Sequence, residues 1–192
     1  MKSKGIPTKL TVLAFLTVAV ALVAVAAQDK YTLQVPNGLA FSEFRGYEDW
    51  QIVQPSQTGA LKVMRVILAN PMLIKAYRAG VPGNGQPFPD GSKMVKIVWK
   101  QKEITTPPFS VSTPDTVPDT LEDVEFMEKD SKRFADSGGW GWAVFEYDAA
   151  SNTFRVGNLS DKPPQANDAK CGFACHTIAK QKDFIFTAYP KR

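Results

Sequence analysis

Ser92-Lys93-Met94-Val95-Lys96-Ile97-Val98-Trp99-Lys100-Gln101-Lys102 has the alternation of a β-strand, and its reading sets the class of the fold. Successive side chains of a strand point to opposite faces. Lys93, Val95, Ile97, Trp99 and Gln101 therefore share one face, and Met94, Lys96, Val98, Lys100 and Lys102 share the other. The first face has a compact apolar centre and is expected to pack on the core. On the second, Lys96 stands between Met94 and Val98. A lysine so placed ordinarily lays its stem along apolar surface and keeps its amine in water. The alternative sends the amine into an apolar pocket.

Leu61 to Ala69 on one side, and Glu122 to Lys129 and Trp140 to Tyr147 on the other, also read as strands. Asn152 to Val156 adds a short one after the turn at Asp148 to Asn152. Between the first two strands lies a helix with clear limits. Asn70 suits the N-cap, Pro71 the first helical position and Gly80 the left-handed stop, and Met72, Leu73, Ala76 and Tyr77 form an apolar face. Short helical pieces are predicted around Ser42 to Asp49, Asp130 to Ala135 and Cys175 to Gln181. Pro107, Pro108, Pro114 and Pro118 mark an irregular connection over residues 104–120, and Asp161 to Gln165 a second loop. Strands outnumber helices. The fold class is α+β, mostly an antiparallel β-sheet with a few short helices.

The first 27 residues read as a secretory signal peptide. Lys2, Lys4 and Lys9 precede the apolar run Leu10 to Val25, and small residues end it at Ala26 and Ala27. Its length nearly suffices for a membrane anchor, the competing reading. Removing 27 from the 192 residues leaves 165, one domain spanning 28–192 with room for its own core. The net charge of +4 owes three units to the leader, so the remainder is close to neutral. With no basic stripe and no recognition motif, a nucleic-acid partner is not indicated. Export points to the periplasm.

Both cysteines and the only histidine fall within Cys171-Gly172-Phe173-Ala174-Cys175-His176. Two thiols followed at once by an imidazole is the chemistry of covalent c-type haem attachment. The thiols bond to the haem edge and the histidine reaches the iron. A disulfide is the ordinary fate of two cysteines in an exported chain and is the alternative here. Zinc is a weaker rival, because two thiolates and one imidazole leave a structural site one ligand short. A haem would take His176 as axial metal ligand, and a second histidine is lacking. Met64, Met72, Met94 and Met127 ordinarily fill core gaps, which favours an open sixth position. Asp90, Asp168 and Glu146 are carboxylates near a strand or the motif, yet their ordinary place is the solvated surface. Phe88, Phe134 and Trp142 could wall a cofactor, yet their ordinary place is the packed core.

Several segments, taken in order, carry a family likeness. They are Tyr77-Arg78-Ala79-Gly80, Phe88-Pro89-Asp90-Gly91, Met94-Val95-Lys96, Asp130-Ser131-Lys132-Arg133-Phe134-Ala135, Trp142-Ala143-Val144-Phe145, Cys175-His176 and Asp183-Phe184-Ile185-Phe186-Thr187. Over about residues 45–190 the chain resembles the cytochrome P-460 family of c-type haem proteins. The resemblance implies a haem c held by Cys171, Cys175 and His176, with Lys96 covalently joined to the haem edge. It further implies a five-coordinate iron, a homodimer, and oxidation of hydroxylamine to nitric oxide or nitrous oxide. A related branch, of the cytochrome c'-beta type, lacks the lysine link and binds nitric oxide without turnover. An electron-transfer cytochrome is the remaining option. The family spacing is C-x-x-C-H, whereas this chain has one residue more between the thiols. That departure concerns the Cys171 thioether and leaves the Cys175–His176 adjacency intact.

Overall fold

The computed structural model describes residues 27–36, 38–105, 115–157 and 172–190. The expected leader, apart from Ala27, lies outside them, as do Pro107, Pro108, Pro114, the Asp161–Gln165 loop, Asp168 and Cys171. Among the described residues no helix is long and apolar enough to cross a membrane.

Six strands form one antiparallel sheet in sequence order: β1 (Gln51–Thr58), β2 (Val63–Ala69), β3 (Lys93–Ile104), β4 (Asp115–Lys129), β5 (Trp140–Asp148) and β6 (Thr153–Val156). The helix α1 (Pro71–Arg78) links β2 to β3 with the expected caps. Asn70 Oδ1 accepts from Leu73 N at 3.0 Å, Pro71 opens the first turn, and Gly80 follows the end with φ +91°. The α+β reading holds.

Three local expectations need correction. β1 was not foreseen, and β4 begins at Asp115, inside the stretch expected to be irregular. Above Asp123, β4 pairs with β3 alone, so Pro118, which has no N–H to donate, sits in a half-edge segment beside an irregular step in the register. The expected helical piece at Asp130 to Ala135 is a turn followed by a single 3-10 turn at Ala135–Ser137. Asp130 Oδ1 accepts from Lys132 N and Arg133 N at 3.1 and 2.9 Å, and that local bonding competes with helix formation.

Both faces of the sheet are packed. On one, Leu68, Val95, Val124, Phe126, Ala143 and Phe145 are buried beneath the N-terminal segment, which brings Phe41, Phe44 and Tyr47. Phe44 stacks on Phe126 at 4.1 Å and Phe41 meets it edge-on at 4.9 Å. Burial of each such side chain is worth about 1.5–3 kcal/mol. On the other face Ala69, Met94, Met127 and Trp142 lie under Leu73, Ile74 and Tyr77 of α1, together with Phe88, Phe184 and Ile185. The face holding Met94 and Val98 is thus not a solvated one, since both are nearly inaccessible. The cover of this face is partial, and where it stops the site begins.

Candidate functional site

Strand register carries the second face from apolar to polar in three parallel rows. Ala69, Met94, Met127 and Trp142 form the first, beneath α1. Two residues along, Gln54, Ile67, Lys96, Glu125 and Val144 form the second. Ser56, Arg65, Val98, Asp123 and Glu146 form the third. Gln54, Ile67, Lys96 and Glu125 of the middle row are the floor of a cavity of about 300 Å³, with Met94, Met127 and Trp142 at one end and Arg65 at the other. That volume lies at the small end of the range of ligand pockets. His176, Phe186 and Thr187 of the C-terminal segment supply the opposing wall. Lys96 and His176, far apart in sequence, therefore line one cavity.

His176 closes the one-turn helix α2 (Phe173–His176), with its backbone N–H donating to Gly172 O at 2.8 Å. Its ring sits 4.7 Å from that of Phe186 and 5.5 Å from that of Trp142. Nδ1 lies 2.6 Å from the carbonyl oxygen of Phe184. A carbonyl can only accept, so Nδ1 carries the proton and donates, leaving the Nε2 lone pair available to a metal. Burial lowers the pKa of the imidazole, against the opposing pull of the Phe184 carbonyl, and the nearby Lys96 charge lowers it further. The neutral form, the one that ligates iron, is favoured.

Gly172 has an ordinary φ of −93°, so its role is not conformational. A Cβ there would stand 2.2 Å from Trp142 Cδ1. The motif backbone rests directly on the indole, and Phe173 packs against Trp142 and Phe184 with centroids 6.1 and 5.8 Å apart. Cys175 is exposed on the same turn as His176.

Lys96 Nζ lies 2.5 Å from Glu125 Oε2, and both side chains are a little over a quarter exposed. In the next row, Asp123 has its carboxyl pushed up to about 7, first by burial and then by the like charge of Glu125. Among the described residues neither Asp123 Oδ1 nor the buried Arg65 Nε has a hydrogen-bond partner. Arg65, Glu125 and Asp123 are the site residues that sequence reading missed. Period two gives Glu125 and Met127 a common face, but only the register shows that this face meets Lys96.

The other sequence candidates fall elsewhere. Asp90 clasps a turn, accepting from Ser131 N at 2.8 Å and Ser131 Oγ at 2.7 Å, and these bonds hold its pKa low. Glu146 pairs with Arg155. Phe88 and Phe134 are core residues, while Trp142 serves both core and cavity. Met94 and Met127 line the cavity from within the packed core; Met64 pairs opposite Trp99 on the other face, and Met72 is exposed on α1.

This donor set fits a c-type haem. It offers a neutral imidazole with its Nε2 lone pair available, a thiol on the adjacent residue, apolar walls, and a buried Arg65 Nε that has no acceptor among the described residues and that a haem carboxylate could satisfy. No curated protein matches the chain. The family model for Cytochrome P460 matches residues 44–187, a span that runs from Phe44 through all six strands and α1 to Thr187 and takes in Lys96, Cys175 and His176. The chain belongs to the cytochrome P460 family.

Proposed function

We propose that the protein is an exported, periplasmic mono-haem c-type cytochrome that oxidises hydroxylamine to nitric oxide or nitrous oxide at a five-coordinate iron. In this reading Cys171 and Cys175 form the thioethers, His176 is the axial ligand, and Lys96 bonds to the haem edge. The working form is a homodimer that passes electrons to a redox partner. Support comes chiefly from one observation: the Lys96 amine and the His176 imidazole converge on a single cavity.

A haem bound there supplies an iron that coordinates a small nitrogen ligand and takes up its electrons. The chain's own groups do the rest. His176 presents Nε2 because Phe184 holds Nδ1. Met94, Met127, Trp142 and Phe186 line the cavity with apolar surface. Hydroxylamine oxidation releases protons, which need acceptors of matched affinity. Glu125 faces the cavity, and Asp123, next on the same face of β4, has a carboxyl that titrates near neutrality.

The test is intact mass and peptide mapping of the purified protein, with its visible spectrum and a hydroxylamine-dependent reduction assay. Covalent haem on the Cys171–His176 peptide, a haem-linked Lys96 peptide and reduction by hydroxylamine are the expected results. Absence of covalent haem sinks the proposal. The close Lys96–Glu125 ion pair supports a second reading, in which the amine stays in that pair and the protein binds nitric oxide without turnover. A Lys96 peptide free of haem, with no hydroxylamine-dependent reduction, selects it.

A further inference from the structure

Deep beneath the C-terminal segment, and outside the cavity, lies a buried ion pair that the proposed reaction leaves unused. Lys129, at the end of β4, is 6% exposed, and its Nζ lies 2.7 Å from Asp183 Oδ1 and 3.0 Å from Gly138 O. The ammonium also stands 5.1 Å from the centroid of the Trp140 ring. The second carboxylate oxygen, Asp183 Oδ2, accepts from Phe88 N at 2.8 Å. One carboxylate thus ties the C-terminal segment to the end of β4 and to the loop before β3.

The backbone at that carboxylate is unusual. Asp183 and Phe184 both lie in the left-handed region, with φ of +50° and +64°. A bulky residue there is an outlier that persists only where its surroundings hold it. Backbone bonds from Asp183 N to Lys180 O at 3.1 Å and from Phe184 N to Ala179 O at 3.0 Å close the preceding 3-10 helix there, and two side-chain holds add to them. The Lys129 and Phe88 donors grip Asp183, and the Phe184 ring lies over Gly138, where a Cβ would come within 2.2 Å of the ring. The result of the left-handed pair is that the Phe184 carbonyl turns back onto His176 Nδ1 at 2.6 Å.

We propose that Lys129 and Asp183 are positioning residues for the axial histidine: by fixing the Asp183–Phe184 turn they aim the Phe184 carbonyl at His176 Nδ1 and so set how strongly the imidazole donates to iron. This rests on His176 being the haem ligand, as proposed above. The partner of the second ring nitrogen governs the basicity of a metal-bound imidazole, and a stronger hydrogen bond from Nδ1–H makes Nε2 the better donor. A better donor stabilises ferric over ferrous iron, so loosening the turn raises the reduction potential.

The experiment compares haem-loaded wild type with Asp183→Asn, which keeps an acceptor for Phe88 N but removes the charge facing Lys129. Lys129→Arg serves as the variant that retains the pair. Asn70→Ala, which weakens the cap of α1 away from His176, controls for general destabilisation. The readouts are the reduction potential and the iron–histidine stretching band of the ferrous protein. Asp183→Asn is expected to lower that band and raise the potential, by about 59 mV for each tenfold loss of ferric preference. Lys129→Arg should stay near wild type, and Asn70→Ala should move neither. If Asp183→Asn does not fold, the smaller Asp183→Ser, which also removes the charge facing Lys129 and keeps a hydroxyl acceptor near Phe88 N, provides the same comparison. A wild-type protein without haem would overturn the parent reading and this inference together. A haem-loaded wild type whose band and potential equal those of the folded Asp183 variant would overturn this inference alone.

Discussion

Asp123→Asn tests the electrostatics of the polar end of the sheet. The Asp123 carboxyl is raised from its ordinary 3.8 to about 7, mainly by burial, with Glu125, Glu122 and Glu146 adding like charge and Lys96 opposing them. Between those two values the native state keeps a proton that the unfolded chain releases. Native protein then binds the more protons, so stability falls as pH rises through this window. At about 1.4 kcal/mol for each tenfold difference in proton affinity, the loss reaches about 4 kcal/mol once the native carboxyl has ionised. Asparagine has nearly the same shape and cannot ionise, so it lacks this slope. The stability difference, variant minus wild type, is expected to be near zero at about pH 4 and to approach about 4 kcal/mol by about pH 8. Urea unfolding of both proteins across that range measures it directly. A difference that stays flat with pH would show that Asp123 ionises as a solvated carboxylate does, and would remove it as a proton acceptor for the cavity.

Gly172→Ala places a methyl group 2.2 Å from Trp142 Cδ1, so the motif must lift off the indole. The yield of covalent haem should fall and stability drop by about 1–3 kcal/mol, whereas Gly59→Ala, with nothing within 4 Å, should behave as wild type; equal haem yields in the two variants would contradict the close-approach account. Asn70→Ala removes the acceptor for Leu73 N and Lys93 N and the donor to Gly91 O. A cost of about 1–2 kcal/mol and a melting temperature lower by several degrees are expected with the visible spectrum unchanged, and a melting temperature equal to wild type would refute the cap's contribution.

What the sequence made legible was local. α1 could be bounded because Asn70, Pro71 and Gly80 act within a few residues of themselves. β3 showed itself through alternation, although its second face turned out to be buried as well. β1 escaped notice because Gln51, Gln54, Pro55 and Gln57 carry little apolar signal, as suits an edge strand with one partner. At the site, Cys175 and His176 stood out by adjacency, and Lys96 entered through the family likeness. Arg65, Glu125 and Asp123 depend on the registers Arg65–Val98, Lys96–Glu125 and Val98–Asp123. Cross-strand register is set by long-range packing, and no spacing within one strand contains it. The carbonyl that orients His176 was equally hidden, since it hangs on a left-handed Asp183–Phe184 pair with no glycine to announce it.

Every strand of this meander lies beside its neighbour in sequence, whereas the wall bearing His176 follows the sixth strand. Pairing strands that are neighbours in sequence closes shorter stretches of chain than docking the last segment against β3 and β4. Sheet assembly and cofactor capture are therefore separable events. The polar rows around Lys96 and Arg65 tolerate water, whereas Met94, Met127 and Trp142 beside them are covered by α1 and by Phe184 and Ile185 of the last segment. On the reading proposed above, in which haem is joined to the C-terminal segment, the prosthetic group and that segment would close over the same floor together, and the haem would be a latch of the fold and not its nucleus.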